Sequence, residues 1–322
     1  MMFSRIAGTG MYVPERVVTN AELAKMVDTT DEWIRSRSGI ERRRVAADDE
    51  MTSDLGGKAA TEAMQAAGVT PGDIDFLVVG TTTPDLVFPN VGCLIQDQLG
   101  IPVCPAFSVE AACSGFIYAL SVADRFVATG QAGCALVIGA ETLSRITNWN
   151  DRSTCVLFGD GAGAVVLQPS EEAGIISTHL RADGAYKSIL NTAGGVSKRP
   201  DMPLDESLYI QMRGNETFKV AVRCLENIVD ETLAANDMDT SEIDWLIPHQ
   251  ANHRIIQATA KRLDIPMEKV VLIVQDYGNT SAASVPMALD VAVQDGRVKR
   301  GDVLLLEAFG GGLTWGSALI RY

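Results

Sequence analysis

The sequence predicts an α/β protein built from two duplicated halves, and three observations carry that expectation. Short, continuously apolar runs alternate with helical runs, the pattern of a parallel sheet covered on both faces. The stretch Ile74-Asp75-Phe76-Leu77-Val78 returns as Ile243-Asp244-Trp245-Leu246-Ile247, and Ala119-Leu120 returns as Ala288-Leu289, each 169 residues further on. The run Ala135 to Ile138 returns 168 residues on at Val303 to Leu306, and a glycine-rich hairpin closes each half, FGDGAGAVVL and FGGGLTWGSALI. One such match is chance, whereas three in nearly constant register indicate duplication. The halves are therefore set at residues 1–173 and 174–322, with no long linker between them and a site expected at their junction.

The first strand is expected at Ser4 to Gly8, then a loop through Pro14 and a short helix over AELAKMV that Asn20 would cap. Next comes DTTDEWIRSRSGIERRR, with Trp33 among Arg35 and Arg37 and a terminal run of Arg42, Arg43 and Arg44. A tryptophan among arginines can stack on a planar base while the cations meet phosphates, or lie half-buried on a surface helix. A helix is expected from Thr52 to about Ala67, capped by Thr52 or Ser53 and stopped by Gly68. A buried strand over Ile74 to Val79 leads into TTTPDLVFPN and a helix from about Val91 to Leu99. The stretch SVEAACSGFIYA then sets Cys113 where a strand turns into a helix that runs to about Thr129 and ends at Gly130, ahead of a strand over Ala135 to Ile138. FGDGAGAVVL and GIISTHL read as two strands joined through QPSEEA, Arg181 to Leu208 as an irregular excursion, and the second αβ series begins near Asn215.

Composition narrows the function classes. With 27 basic and 41 acidic residues the net charge is −14, so the chain as a whole repels nucleic acid and anionic membranes. An acidic partner must meet a local basic patch. No N-terminal run has the order of a signal peptide and no apolar run approaches a membrane span, so the cytoplasm is the expected compartment. The six cysteines show neither a CxxC pair nor a cysteine–histidine cluster, which indicates no metal and no disulfide framework.

Three residues stand out chemically. A sulfur at a helix N-terminus is favoured as thiolate by the unpaired N–H groups there, so Cys113 reads as a nucleophile, or else as a small buried hydrophobe. His249 falls just past a strand end, where ligands gather in open parallel sheets, beside polar Gln250 and Asn252. A histidine that merely closes a strand is the other reading. Asn279, in YGNTSAAS, is a helix cap or a polar group aimed at the site; in the repeat register Cys113 corresponds to Ala282, so its loop mirrors the cysteine loop.

The motifs AACSGF, PHQAN and YGNTSAAS, with DTTDEWI, FGDGAGA and EAFGGGLTWGSAL, resemble β-ketoacyl-[acyl carrier protein] synthase III, the initiating condensing enzyme of type II fatty acid synthesis, over essentially the whole chain. The resemblance implies a thiolase fold, two duplicated five-stranded halves in a five-layered αβαβα arrangement, a homodimer, and no cofactor beyond the substrates themselves. It implies an acyltransferase that moves an acyl-CoA primer, most often acetyl-CoA, onto Cys113 and condenses it with malonyl-[acyl carrier protein]. His249 and Asn279 would complete the catalytic set, and the backbone N–H groups of Cys113 and Gly311 an oxyanion hole. Trp33 and Arg152 would sandwich the adenine of CoA, with Arg37 near the phosphates and Asn252 and Gly214 along the pantetheine tunnel. Lys219, Arg254, Lys261 and Arg262 would meet the acidic carrier protein, and Phe88 would reach across the dimer to bound primer size. His253 and Arg213 depart from the family pattern. The alternative is the same chemistry with a branched or longer primer in secondary metabolism. A scaffold that only binds acyl groups would not need all three catalytic residues, and a thiolase would need a second cysteine in a glycine-rich turn of the second half.

Overall fold

The computed structural model describes residues 2–198 and 203–322. The first half holds β1 (Phe3–Tyr12), β2 (Phe76–Gly80), β3 (Ala106–Val109), β4 (Ala135–Thr142) and β5 (Asp160–Ser170), in the order β1-β5-β4-β2-β3. The second holds β6 (Ile175–Ala182), β7 (Trp245–Pro248), β8 (Val303–Gly310) and β9 (Thr314–Arg321), in the order β7-β8-β9-β6. β2 runs parallel to both β3 and β4, and β7 parallel to β8, while the hairpin strands β5 and β9 run antiparallel to their neighbours. The expected repeat is thus built strand for strand, β6-β9-β8-β7 tracing β1-β5-β4-β2. Even the strand entries match: Asp75 accepts the N–H groups of Gly133 and Cys134, and Asp244 accepts that of Val303.

The layers follow from which faces are apolar. Helices Gly115–Ala128 and Ser284–Gln294 lie between the two sheets, where Phe116, Leu120, Val285 and Leu289 are fully buried with Val78, Val165, Leu306 and Ala318. Thr52–Ala67 and Val91–Leu99 cover the outer face of the first sheet, and Gly214–Ala235 and His253–Arg262 that of the second. The result is the α-β-α-β-α stack of the thiolase fold. Where the halves touch, a side chain would not fit: a Cβ at Gly139 would lie 2.2 Å from the Ala282 carbonyl oxygen.

One expectation fails in the second half, whose main sheet has four strands among the described residues instead of five. The missing place is taken by residues 270–274, which touch β7 only through a single parallel bridge between Leu246 and Val270. Pro248 has no N–H with which to extend that ladder. The Gln250 side chain fills in, its amide donating to the Pro248 and Val271 carbonyls (2.8 and 3.1 Å) and its oxygen accepting from the N–H groups of Ile273 and Val274 (2.9 and 3.1 Å).

Smaller corrections have equally local causes. Thr19, not Asn20, caps the helix Asn20–Leu23, because Thr19 and Glu22 form a reciprocal capping box. Asn20 turns inward to Asp31, Ile40 and Arg43, and Arg43 from the expected exposed run is fully buried. Met51 precedes the helix Thr52–Ala67, whose first turn is tied by Asp54 accepting the Met51 N–H. Gly68 ends it with φ of +68°. The stretch expected to be irregular contains Leu190–Thr192, paired with Ile210–Met212; its residues 199–202 lie outside the described ones. Among the described residues no helix is long and apolar enough to cross a membrane.

Gln250→Leu conserves volume but strands four buried backbone groups, each loss costing about 1–3 kcal/mol. Chemical denaturation should show a stability loss of about 3 kcal/mol or more; a loss under about 1 kcal/mol would mean that the side chain is not replacing the ladder.

Candidate active site

A cavity of about 720 Å³ opens at the junction of the halves. Cys113 reaches it from a tight turn, Ala112–Ser114, between β3 and the central helix Gly115–Ala128. Ala112 takes a left-handed φ of +44°, and its repeat mate Ser281 one of +49°, so the two turns that carry the chemistry share an uncommon backbone. The Gly310-Gly311-Gly312 turn presses against the cysteine turn: a Cβ at position 310 would stand 2.5 Å from the Cys113 backbone nitrogen. Gly311 lines the cavity beside Ala112 and Leu190.

His249 follows β7, its N–H donating to the Glu307 carbonyl at 2.7 Å. Its Nδ1 is 2.6 Å from Ser284 Oγ, which also accepts the Gln250 N–H at 3.2 Å. When the serine donates its proton to Nδ1, the neutral ring carries its own proton on Nε2 as a donor. Burial pulls the imidazole down to about 3, so it stays neutral across the physiological range. Asn279 is clamped by backbone, its N–H donating to Leu157 O at 2.8 Å and its carbonyl accepting from Gly159 at 3.0 Å. Its Oδ1 accepts the Ser281 N–H at 2.9 Å, which turns the amide NH₂, a donor only, toward the cavity.

Cys113 corrects the expectation of a ready thiolate. Burial pushes the thiol up to about 12; the Ser281 hydroxyl draws it down, Glu141 raises it, and its own backbone N–H lowers it again without offsetting the burial. Two buried carboxyl groups border the site. Glu141 accepts hydrogen bonds from the hydroxyls of Thr81, Thr82, Thr83 and Ser281. Neither carboxyl oxygen of Glu307 has a partner, and burial pushes the group up to about 8.

Trp33, Arg37, Gly214, Asn252 and Arg254 line the same cavity. Arg152 lies on the Trp33 ring itself, 4.9 Å from its centroid, with Arg37 5.9 Å away, so a base between Trp33 and Arg152 requires the arginine to swing outward. Among the cations expected to face a carrier protein, Arg254 packs over Phe218, and Lys219 and Lys261 are exposed. Arg262 is ion-paired with Glu226, which compensates its charge. Phe88 is 82% exposed and lies outside the cavity lining of this chain. Of the two departures, Arg213 pairs with Glu216, and His253 packs its Cβ against Gly39, at the C-terminal end of the helix that carries Trp33.

Sequence reasoning missed Ser281, Ser284, Glu141, Glu307 and the cavity-lining Lys187. Ser281 and Ser284 read as small residues in YGNTSAAS. The usable signal was a carboxylate at the end of an otherwise apolar strand, present in both VIGAET and LLLEAF.

Two family models match the chain: 3-oxoacyl-[acyl-carrier-protein] synthase III over residues 107–184 and its C-terminal region over residues 233–322. A β-ketoacyl-[acyl-carrier-protein] synthase III of Xanthomonas campestris is 62% identical over 321 residues, covering 100% of this chain and 99% of its own. One of Thioalkalivibrio sulfidiphilus is 61% identical over the whole of both chains. Among solved structures, the Aquifex aeolicus 3-oxoacyl-[acyl-carrier-protein] synthase III superposes with a TM-score of 0.93 at 48% identity, covering 99% of this chain and 100% of that one. The priming β-ketosynthase of the R1128 polyketide biosynthetic pathway superposes with a TM-score of 0.95 at 36% identity, covering 99% and 96%.

Glu307 makes stability pH-dependent with a definite sign. Its carboxyl titrates near 4.5 when unfolded and near 8 when folded, so its contribution is complete below about 4.5 and is lost as pH rises toward 8. Glu307→Gln, neutral throughout, should therefore gain stability relative to wild type between pH 4.5 and pH 8 in paired denaturation curves. A constant difference across that window would show that Glu307 ionises normally.

Proposed function

The chain belongs to the 3-oxoacyl-[acyl-carrier-protein] synthase III family of condensing acyltransferases of fatty acid biosynthesis, and from that premise we propose that it joins an acetyl primer from acetyl-CoA to malonyl-[acyl carrier protein], releasing CoA and CO₂. The observation that carries the proposal is the convergence of Cys113, His249, Asn279 and the Gly311 turn on one cavity that Trp33 and Arg37 also line.

In the first half-reaction the Cys113 sulfur attacks the primer thioester. Exchange of one sulfur for another keeps the acyl group activated at little cost, which is why cysteine suits the step better than serine. The carbonyl oxygen becomes an oxyanion facing the backbone N–H groups of Cys113 and Gly311, and glycines at 310 and 311 allow backbone to come that close. CoA departs with its thiolate protonated. In the second half-reaction the malonyl thioester loses CO₂, and charge grows on its thioester oxygen as the enolate forms. His249 Nε2–H and the Asn279 amide donate to that oxygen. Both are neutral donors, suited to stabilising charge and, in the case of asparagine, unable to remove a proton. The carbanion attacks the acyl carbon and Cys113 leaves as thiolate, giving acetoacetyl-[acyl carrier protein].

Trp33 and Arg37 take the nucleotide end of CoA, with Arg152 moving to admit the adenine, while Asn252 and Gly214 border the pantetheine arm. Arg254, Lys219 and Lys261 receive the carrier protein. We also propose a homodimer, supported by exposed Leu86, Val87, Phe88 and Val103 beside β3, the open edge of the first sheet. Phe88 then bounds the primer pocket of the other protomer, and the cytoplasm is the compartment where these substrates meet. The likeness to the priming ketosynthase of a polyketide pathway supports a second reading, the same chemistry in secondary metabolism with a branched or longer primer. The higher identity to the synthase III enzymes supports the fatty acid reading.

Intact-protein mass spectrometry with a panel of acyl-CoA primers tests the assignment. Wild type should gain one acetyl group and Cys113→Ser none. Asn279→Ala should still be acylated while malonyl decarboxylation falls about 10²-fold, the usual cost of one oxyanion donor. Label on any other residue, or preferred uptake of a branched primer, would overturn the nucleophile or the primer respectively.

A further inference from the structure

A buried carboxylate with no cation beside it stands one hydroxyl away from the nucleophilic sulfur. Glu141, next to last in β4, is fully buried, and each hydrogen bond it makes comes from a donor. Thr81 Oγ1 lies at 3.3 Å, the Thr82 N–H at 3.2 Å, Thr83 Oγ1 at 2.5 Å and Ser281 Oγ at 3.0 Å. Two proton directions are fixed: Thr83 Oγ1 already accepts from Thr142 N–H and Thr81 Oγ1 from Thr83 N–H, so both hydroxyl protons are left for the carboxylate. Ser281 differs: it donates to Glu141 Oε1, it lines the cavity with Cys113, and its hydroxyl draws the Cys113 thiol down. Its backbone N–H is engaged separately, by Asn279.

The first half-reaction needs somewhere for the thiol proton to go. His249 is a poor acceptor, since its Nδ1 is held by Ser284 and burial has stripped it of basicity. The other charged groups on the cavity wall are Glu110, which is exposed, and Arg37, Lys187 and Arg254; none of them bonds to Glu141. Burial raises Glu141 above the usual carboxylate range, which makes it a stronger base than an exposed glutamate.

We propose that Ser281 and Glu141 form the proton path of Cys113, an inference that rests on acyl transfer to that sulfur. As the sulfur bonds to the acyl carbon its S–H bond breaks, the proton goes to Ser281 Oγ, and the Ser281 hydroxyl proton goes to Glu141 Oε1. The carboxyl is then neutral while the tetrahedral intermediate carries the negative charge. When the carbon–sulfur bond to CoA breaks, Glu141 returns its proton to Ser281 Oγ and the Ser281 hydroxyl proton passes to the departing CoA sulfur, so protons balance over the half-reaction. Ser281 touches the reacting sulfur; Glu141 acts through it as a positioning residue.

The test follows the rate of Cys113 modification against pH in the whole protein by intact mass, with acetyl-CoA and separately with iodoacetamide, which needs the thiolate but no acyl transfer. Ser281→Ala keeps the N–H that holds Asn279 and so isolates the hydroxyl; Glu141→Gln keeps the shape and removes the base. Both should be acylated about 10²-fold more slowly near pH 7, with the deficit shrinking as pH rises and hydroxide strips the thiol directly. Glu141→Asp should recover part of the rate. Wild-type rates with a wild-type pH profile in either variant, or slowing by one factor at every pH, would overturn the path. If Glu141→Gln does not fold, Ser281→Ala decides alone, because it leaves the carboxylate and its threonines in place. A wild-type protein that takes iodoacetamide on Cys113 but no acyl group would sink the acyl-transfer reading, and the iodoacetamide profiles would still decide the proton path.

Discussion

The close approach of two backbone turns at the centre of the molecule is the constraint on which the rest depends. Ala112–Ser114 from one half and Ser281–Ala283 from the other must pack turn against turn beneath the Gly310 hairpin, and a Cβ at Gly139 or Gly310 would fall within 2.5 Å of the opposing backbone. A gap of even one methyl group would separate Cys113 from Ser281 and Gly311 together, because all three sit on the packed turns. Duplication makes this possible. The same uncommon left-handed backbone, at Ala112 in one half and Ser281 in the other, lets one turn present a sulfur and its mate a hydroxyl to the same space.

Packing at that density excludes water, and the exclusion sets the electrostatics. Burial drives the Cys113 thiol up, with Glu141 adding to the rise, and by itself drives the Glu307 carboxyl up and the His249 imidazole down. All three groups are neutral near pH 7. In the proposed condensation a charged histidine would attract the malonyl carboxylate and hold it, whereas a neutral donor is strongest where enolate charge develops. The helix N-terminus behind Cys113 is real, but its pull on a thiolate is smaller than the desolvation it must overcome.

Much of this was legible in the sequence because the duplication was. A register of 168–169 residues between Ile74 and Ile243, Ala119 and Ala288, and Ala135 and Val303 located strands, central helices and the two reactive turns without any coordinates. Motif spacing then named Cys113, His249 and Asn279, and one cavity contains all three. What stayed hidden was tertiary. Nothing local distinguishes Ser284 as the partner of a histidine 35 residues away, or shows that Gln250 stands in for a strand. Thr19 displaced Asn20 as cap because Glu22 completes a capping box, and Asn20 was needed for Arg43, a buried cation that looked like surface in the run RRR. Exposed charge is the least legible property of all, since a cation's availability depends on neighbours the sequence does not order.

That last point decides how an acidic partner can approach a chain of net charge −14. Several surface cations are compensated: Arg35 by Glu41, Arg213 by Glu216 and Arg262 by Glu226. Arg37, Lys187 and Arg254 form no ion pair with another described residue, and all three border the cavity; Lys219, also unpaired, lies one helical turn from Asn215 on its rim. Arg37, Lys187 and Arg254 thus leave uncompensated positive charge on the cavity lining of a chain that is acidic overall. In the proposed reaction that charge would orient an acidic carrier as well as attract it. If the phosphates of CoA use the same cations, as proposed, a single patch would serve both half-reactions in turn, and CoA would have to leave before the carrier protein docks.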